Sequence, residues 1–195
     1  LHGSSAASDV YKRQVLVSCL IYLEDKGPIF YTQTRSGLNG KIIKIIKFRS
    51  MHVDAEIEGI QWSKNNDKRI TRIGRILRAL RIDELPQLFC VLLGSMSLIG
   101  PRPERPEIEK KLFKKVPYYK SRYIIKPGIS GWAQVNYPYG ASVADTKQKL
   151  SYDIYYISNF SFFLDLLIFF KTIKLVLNAK GYKPKKIIDN NANTN

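Results

Sequence analysis

An arginine recurs at every third position from Arg69 to Arg81 (Arg69, Arg72, Arg75, Arg78, Arg81), and two residues further on stand the adjacent carboxylates Asp83 and Glu84. On a helix of about 100° per residue a spacing of three drifts by about 60° per step, so these arginines spiral around the axis and cannot all share one solvated face. Some of them must meet fixed anions. The run Leu80-Arg81-Ile82-Asp83-Glu84-Leu85-Pro86-Gln87-Leu88 supplies two, and carboxylates embedded in so much positive charge point to chemistry on a phosphorylated substrate.

Pro86 fits the first turn of a helix, and the apolar stretch Leu88 to Leu93 ending at Gly94 reads as that helix's body and C-cap. Asp83 and Glu84 then lie at a helix N-terminus, where the macrodipole and free N–H groups favour ionised carboxylate by about 0.3 to 1 kcal/mol. Both acids are expected to be charged at neutral pH. An ionised Asp can attack phosphorus to form an acyl phosphate, and a neighbouring carboxylate can hold the Mg²⁺ such transfers commonly need. The plainer reading is that Asp83 caps the helix and Glu84 pairs with an arginine. The surrounding residues have to decide between them.

The 195 residues suit one domain with short appendages, and 32 Lys+Arg against 16 Asp+Glu leave a net charge of +16. That excess points to nucleic acid, an anionic membrane surface or phosphorylated substrates without choosing among them. Helix-turn-helix, zinc and ribonucleoprotein signatures are missing from the sequence, which disfavours a basic nucleic-acid-binding module. Cys19 and Cys90 sit in apolar runs and read as reduced, buried thiols. His2 and His52 have no metal-ligand spacing and are given no role.

Along the chain, residues 1–14 are polar and aperiodic and read as a disordered or foreign leader, while Val15 to Leu23 resembles the end of a longer apolar helix. Ile29 to Thr34 and Lys41 to Phe48, separated by a Gly- and Asn-containing turn, predict a β-hairpin. Gly40-Lys41 lacks the spacing and following hydroxyl of a phosphate loop. Lys47 and Arg49 end the second strand two residues apart, on one face. A short helix is expected at Asp54 to Ile60, a loop at Trp62 to Asp67 and a basic helix at Thr71 to Arg81. Three prolines in Gly100 to Glu107 predict a stiff extended loop that presents Arg102 as a preorganised fork. Lys126-Pro127-Gly128 predicts a turn and Gly131 to Val135 a short strand, with Trp132 packing.

No stretch reaches the 18 or so apolar residues of a spanning helix. Ile157 to Leu177 comes nearest, read as one helix in which Ser158, Ser161, Asp165 and Thr172 gather within roughly 60° and leave a broad Phe- and Leu-rich face. That face suits a core or a membrane interface. Residues 183–195 read as a disordered tail.

From about Val15 to Tyr182 the chain resembles the bacterial sugar transferases, the polyprenyl-phosphate hexose-1-phosphate transferases of exopolysaccharide, capsule and O-antigen synthesis. The motifs are GPIFYTQTRSG, KFRSM, RALRIDELPQL, MSLIGPRPERPE, KPGISGWAQVNYPYGAS and YDIYYISNFSFFLDLLIF. The resemblance implies a small α+β catalytic domain, mostly helical with a short hairpin, monotopic on the cytoplasmic face of the bacterial inner membrane. It implies a UDP-sugar donor, undecaprenyl phosphate as acceptor, release of UMP and Mg²⁺ as cofactor; it implies no nucleic acid and leaves a homo-oligomer open. By position it makes Asp83 the nucleophile and Glu84 its partner and metal ligand, with Lys47, Arg49, Arg78, Gln87, Pro101, Arg102 and Pro103 in substrate-binding motifs. Family members carry a re-entrant membrane helix ahead of this region. Only its end, Val15 to Leu23, is expected here, so a fragment that keeps its membrane association but has lost catalysis is the competing expectation.

Overall fold

The computed structural model of the chain describes residues 3–63, 67–138, 140 and 142–178, and the tail expected at 183–195 lies outside them. Helix α1 (Gly3–Glu24) leads into the antiparallel strands β1 (Phe30–Ser36) and β2 (Ile42–Phe48). Then come α2 (Arg72–Ala79), a 3-10 turn at Ile82–Gln87, α3 (Leu88–Leu92), β3 (Ser97–Ile99) and α4 (Pro106–Leu112). A second 3-10 turn at Tyr119–Tyr123, β4 (Gly128–Ser130), α5 (Trp132–Asn136), α6 (Val143–Ser158) and α7 (Phe162–Leu177) complete the order. The result is the α+β class expected, with a short hairpin and, unforeseen, a second two-stranded sheet in which β3 and β4 run parallel (Ser97↔Gly128, Ile99↔Ser130).

The hairpin forms because β-branched and aromatic residues are abundant on both strands, in register from Phe30↔Phe48 to Ser36↔Ile42. Its turn closes through a bond from Gly37 N to Lys41 O of 2.8 Å. Three small cores hold the elements together. Ile21, Phe48 and Leu77 join α1, β2 and α2; Ile45, Cys90 and Met96 join β2 to α3 and the approach to β3; Leu112, Val116, Tyr119 and Leu150 join α4 to α6. Fully burying a side chain of this kind contributes about 1.5 to 3 kcal/mol.

Helix α2 is capped twice. Thr71 Oγ1 accepts from Gly74 N at 2.9 Å, and the Glu24 carboxylate at the end of α1 accepts from Arg72 N and Ile73 N at 2.6 and 2.8 Å. Gly74 is required there, since a Cβ would lie 2.0 Å from Ser50 O. This close approach sets α2 against the chain just beyond β2.

Several expectations are corrected. Helix α1 runs back to Gly3, so the backbone is helical through most of the segment read as a disordered or foreign leader. Residues 53–58 form consecutive turns with bonds from Ala55 N to His52 O and Ile57 N to Asp54 O instead of a helix. Gly59 ends them with a φ of +92°. The extended loop stops at Arg105, because Pro106 starts α4 as an N1 proline with Glu107 in its first turn. After Lys126 the expected turn and strand are replaced by a strand and a helix: β4 begins at Gly128 and Gly131 caps α5, because Gly128 N and Ser130 O are taken by Pro101 O and Gly100 N across the parallel sheet. Trp132 does pack, stacked on Tyr155 with ring centroids 5.9 Å apart. Cys19 is exposed, and only Cys90 of the two thiols is buried.

The segment 157–177 is two helices. Asn159 ends α6, and Ser161 caps α7 by accepting from Leu164 N at 3.3 Å. The polar stripe of α7 faces the protein: Asp165 accepts from Tyr156 OH at 2.6 Å, Thr172 Oγ1 and Ser130 Oγ share a bond of 2.6 Å, and Ile168 between them is fully buried. The aromatic face is therefore the exposed one, with Phe162 at 74 %, Phe163 at 80 % and Leu177 at 79 %. Among the described residues no helix is long and apolar enough to cross a membrane.

Candidate active site

Asp83 and Glu84 sit in the 3-10 turn Ile82–Gln87, both buried. Helix α2 stops at Leu80, and Arg81 takes left-handed backbone angles (φ 54°, ψ 22°) that are costly for a residue with a Cβ. This reversal turns the chain so that the following carboxylates point under β2 instead of continuing along the α2 axis. Pro86 falls within the turn, and α3 starts at Leu88 and closes at Gly94 with φ +76°, as its C-cap reading requires.

Glu84 is the electrostatic centre. Its Oε1 accepts from Lys47 Nζ at 3.1 Å and from Arg102 Nη2 at 2.5 Å, and its Oε2 lies 3.7 Å from Arg81 Nη1. Burial opposes its charge, but Arg102, Lys47 and Arg81 outweigh burial and hold the carboxyl well below the usual range. Asp83 differs. Burial, and then the charge on Glu84, push its carboxyl up to about 6 against the pull of Lys47, Arg78 and Arg102. Glu84 owes its low value to these cations and not to a helix terminus, and burial leaves Asp83 the less readily ionised of the two acids. Burial also lowers Lys47 to about 8, although Glu84 works against it. At neutral pH the site thus holds two carboxylates and a clustered set of cations, with Asp83 carrying the more basic carboxylate.

The structure brings Lys47, Arg78, Gln87 and Arg102 toward this pair. Arg78 acts on Asp83 by its charge and donates to Ser63 Oγ at 3.2 Å. Gln87 is 3 % exposed and its Nε2 makes no hydrogen bond among the described residues. Pro101 and Pro103 flank Arg102 and hold its backbone extended. Arg49 goes elsewhere: it pairs with Asp25 at the end of α1, at 3.2 Å to Oδ2 and through a second, short bond to the Asp25 carbonyl. Lying beyond the last residue of β2, it does not share a partner with Lys47 as two-residue spacing predicted. Of the arginine series, Arg69 meets Asp67 at 2.7 Å, Arg81 meets Glu84, and Arg72 and Arg75 are exposed. Sequence reasoning left Arg81 without a site role; its place two residues before Asp83 was the available signal. Arg35 and Arg122, which donate to Pro103 O and Arg102 O, were given no role either, although Arg35 stands in the GPIFYTQTRSG motif.

A metal ion can be tested against these donors. Among the described residues there is no cluster of three or more His, Cys, Asp and Glu able to cage one. Mg²⁺, however, commonly takes one or two carboxylates together with substrate phosphates and water. Asp83 and Glu84 are adjacent, and Glu84 Oε2 is buried without a hydrogen-bond partner among the described residues. That oxygen, 3.7 Å from Arg81 Nη1 and not hydrogen-bonded, fits a hard cation arriving with a diphosphate.

Buried paired carboxylates, a cluster of Lys and Arg, and a proline-stiffened arginine loop form the chemistry of this site. The chain belongs to the bacterial sugar transferase family, whose model matches residues 10–179. It is 49 % identical over 162 residues to the UDP-N-acetylgalactosamine-undecaprenyl-phosphate N-acetylgalactosaminephosphotransferase of Aeromonas hydrophila, covering 83 % of this chain and 38 % of the relative. It is 42 % identical to the undecaprenyl-phosphate glucose phosphotransferase of Komagataeibacter xylinus (82 % of this chain, 31 % of the relative). It is also 42 % identical to the exopolysaccharide production protein PSS of Rhizobium leguminosarum bv. phaseoli (86 % and 88 %). The chain thus spans about a third of the length of the first two relatives and most of the third.

Proposed function

We propose that this chain transfers a hexose 1-phosphate from a UDP-sugar to undecaprenyl phosphate, releasing UMP, and so initiates synthesis of an exopolysaccharide, capsule or O-antigen. The observation that carries the reading is the division of labour between adjacent acids: Glu84 gathers Lys47, Arg81 and Arg102, while Asp83 stays the more basic carboxylate and is ionised above pH about 6.

In the proposed reaction an Asp83 oxygen attacks the sugar-bearing phosphorus of the donor. A P–O bond to Asp83 forms, the bond to the bridging oxygen breaks, and UMP leaves with that oxygen and its electron pair. A phosphate oxygen of undecaprenyl phosphate then attacks the same phosphorus, forming the lipid diphosphate sugar and returning Asp83 as carboxylate. Lys47, Arg78 and Arg102 orient the diphosphate and neutralise charge as it develops, and burial of the acids excludes competing water. Glu84 would hold Mg²⁺, which would supply charge neutralisation at the phosphate oxygens.

The test is UMP release from a panel of UDP-sugars with undecaprenyl phosphate and Mg²⁺. Run across pH, kcat/KM should rise through about 6 as Asp83 ionises and fall through about 8 as Lys47 loses its proton. A flat profile from pH 5 to 9 would remove Asp83 and Lys47 from their roles.

We place the domain on the cytoplasmic face of the inner membrane. The exposed aromatic face of α7, the exposed Phe89 and Leu92 of α3 and the exposed Leu93 that follows them support this, as does the net charge of +16. Both helices pack beside β3. The chain should bind anionic liposomes at low salt and be released as ionic strength rises. Indifference to liposomes together with tight binding of single-stranded nucleic acid would overturn the placement.

A further inference from the structure

We propose that Arg122, held by Asp153, and Arg35, held by Glu104, are positioning residues that clamp the loop carrying Arg102 and so fix its guanidinium at Glu84. The kinetic consequence rests on the transferase reading; the clamp itself rests on geometry. Four consecutive carbonyls of the loop each accept a hydrogen bond. Pro101 O takes Gly128 N at 2.9 Å, Arg102 O takes Arg122 Nη2 at 2.8 Å, Pro103 O takes Arg35 Nη1 at 3.1 Å and Glu104 O takes Ser36 N at 3.1 Å.

Prolines at 101 and 103 already fix two φ angles and remove two N–H groups, so the remaining freedom is rotation of the peptide planes. Each carbonyl bond arrests one plane. Two of the donors are backbone groups that many sequences would supply. The other two are arginine side chains from β1 and from the turn before β4, each with its own carboxylate. Arg122 Nη2 has two hydrogens, and besides Arg102 O it meets Asp153 Oδ2 at 2.8 Å, while Nη1 donates to Tyr119 OH at 2.6 Å. Asp153 is 2 % exposed. Arg35 Nη1 also meets Glu104 Oε1 at 3.1 Å.

A buried ion pair is weak evidence for stability, since desolvation offsets most of its attraction. Its placement here has a different use. The Arg102 side chain is 42 % exposed at the rim of the site, where a long side chain is otherwise free to rotate. Fixing the backbone beneath it limits where the guanidinium can go, and a fork held at Glu84 meets an arriving phosphate with less entropy to lose.

The variants are Arg122→Lys, which keeps the charge but cannot span Asp153, Tyr119 and Arg102 at once, and Arg35→Lys as an independent approach from the other strand. Amide hydrogen exchange at Arg102, Glu104 and Arg105 of the full chain should speed up by about tenfold in either variant, with the melting transition retained. UMP release should fall by about tenfold in kcat/KM in the wild-type background and by less than about twofold when Arg102 is already alanine. Unchanged exchange in both variants overturns the clamp. Equal losses in the two backgrounds make the arginines merely structural and overturn it too. If the wild type releases no UMP from any donor, the transferase reading falls and exchange alone decides the clamp.

Discussion

Asp83→Asn should abolish UMP release, by about 10³-fold or more, and at the same time make the protein more stable at neutral pH. The amide cannot form an acyl phosphate, so labelled UDP-sugar should mark the wild type and leave the variant unmarked. The stability gain follows from linkage. The folded-state value of Asp83 is raised to about 6 from 3.8, chiefly by burial and then by the charge on Glu84. A group raised in this way contributes stability that is fully present below about 3.8 and lost as pH rises through about 6. Above that pH the ionised carboxylate opposes folding, and a neutral amide of the same shape removes the opposition. A gain of about 1 to 3 kcal/mol at pH 7.5, shrinking to nothing near pH 4, is expected in urea titrations. Turnover near the wild-type rate would sink the covalent mechanism. A loss of stability at pH 7.5 would sink the electrostatic account of the site.

Glu84→Gln should move stability the other way. Its carboxylate answers Lys47, Arg81 and Arg102, and its folded-state value lies well below 4.5 because those cations outweigh its burial. Such a group contributes stability that is present above the unfolded value and lost as pH falls through the folded one. Removing it leaves three buried or half-buried cations facing one another, and a destabilisation of about 3 kcal/mol at neutral pH is expected from denaturant unfolding. Activity should fall by about 10²-fold or more, with the Mg²⁺ titration displaced to higher concentration. An unchanged metal titration would count against Glu84 as a ligand, and an unchanged midpoint of unfolding would count against its place at the centre of the cations. Neighbouring acids with stability effects of opposite sign are the mark of a site in which one charge is held for structure and the other for chemistry.

Much of this was legible in the sequence because it depends on local rules. The hairpin follows from β-branched residues about a Gly- and Asn-rich turn, and α3 from an apolar run closed by a glycine. The two carboxylates stood out because an arginine at every third position cannot be placed on one solvated face. Their partners Lys47 and Arg102 could be named from the family resemblance, and the fold does bring both to Glu84.

What the sequence could not assign was direction. Two polar stripes illustrate it. Asp165 and Thr172 of α7 share a face by helical spacing, but spacing alone is silent on whether that face meets water. The fold turns it inward because Tyr156 and Ser130 offer bonds there, which leaves the phenylalanines exposed. Lys47 and Arg49 are likewise two residues apart, and only the end of β2 and the position of Asp25 send one to Glu84 and the other to α1. The parallel pairing of β3 with β4, across the 28 residues from Gly100 to Pro127, depends on contacts that no window of sequence contains. The same is true of the pKa of Asp83. Charge type and spacing determine which groups can ionise, whereas burial and the distances to Glu84, Lys47 and Arg102 are properties of the tertiary structure, and these place the two acids on opposite sides of their ordinary values.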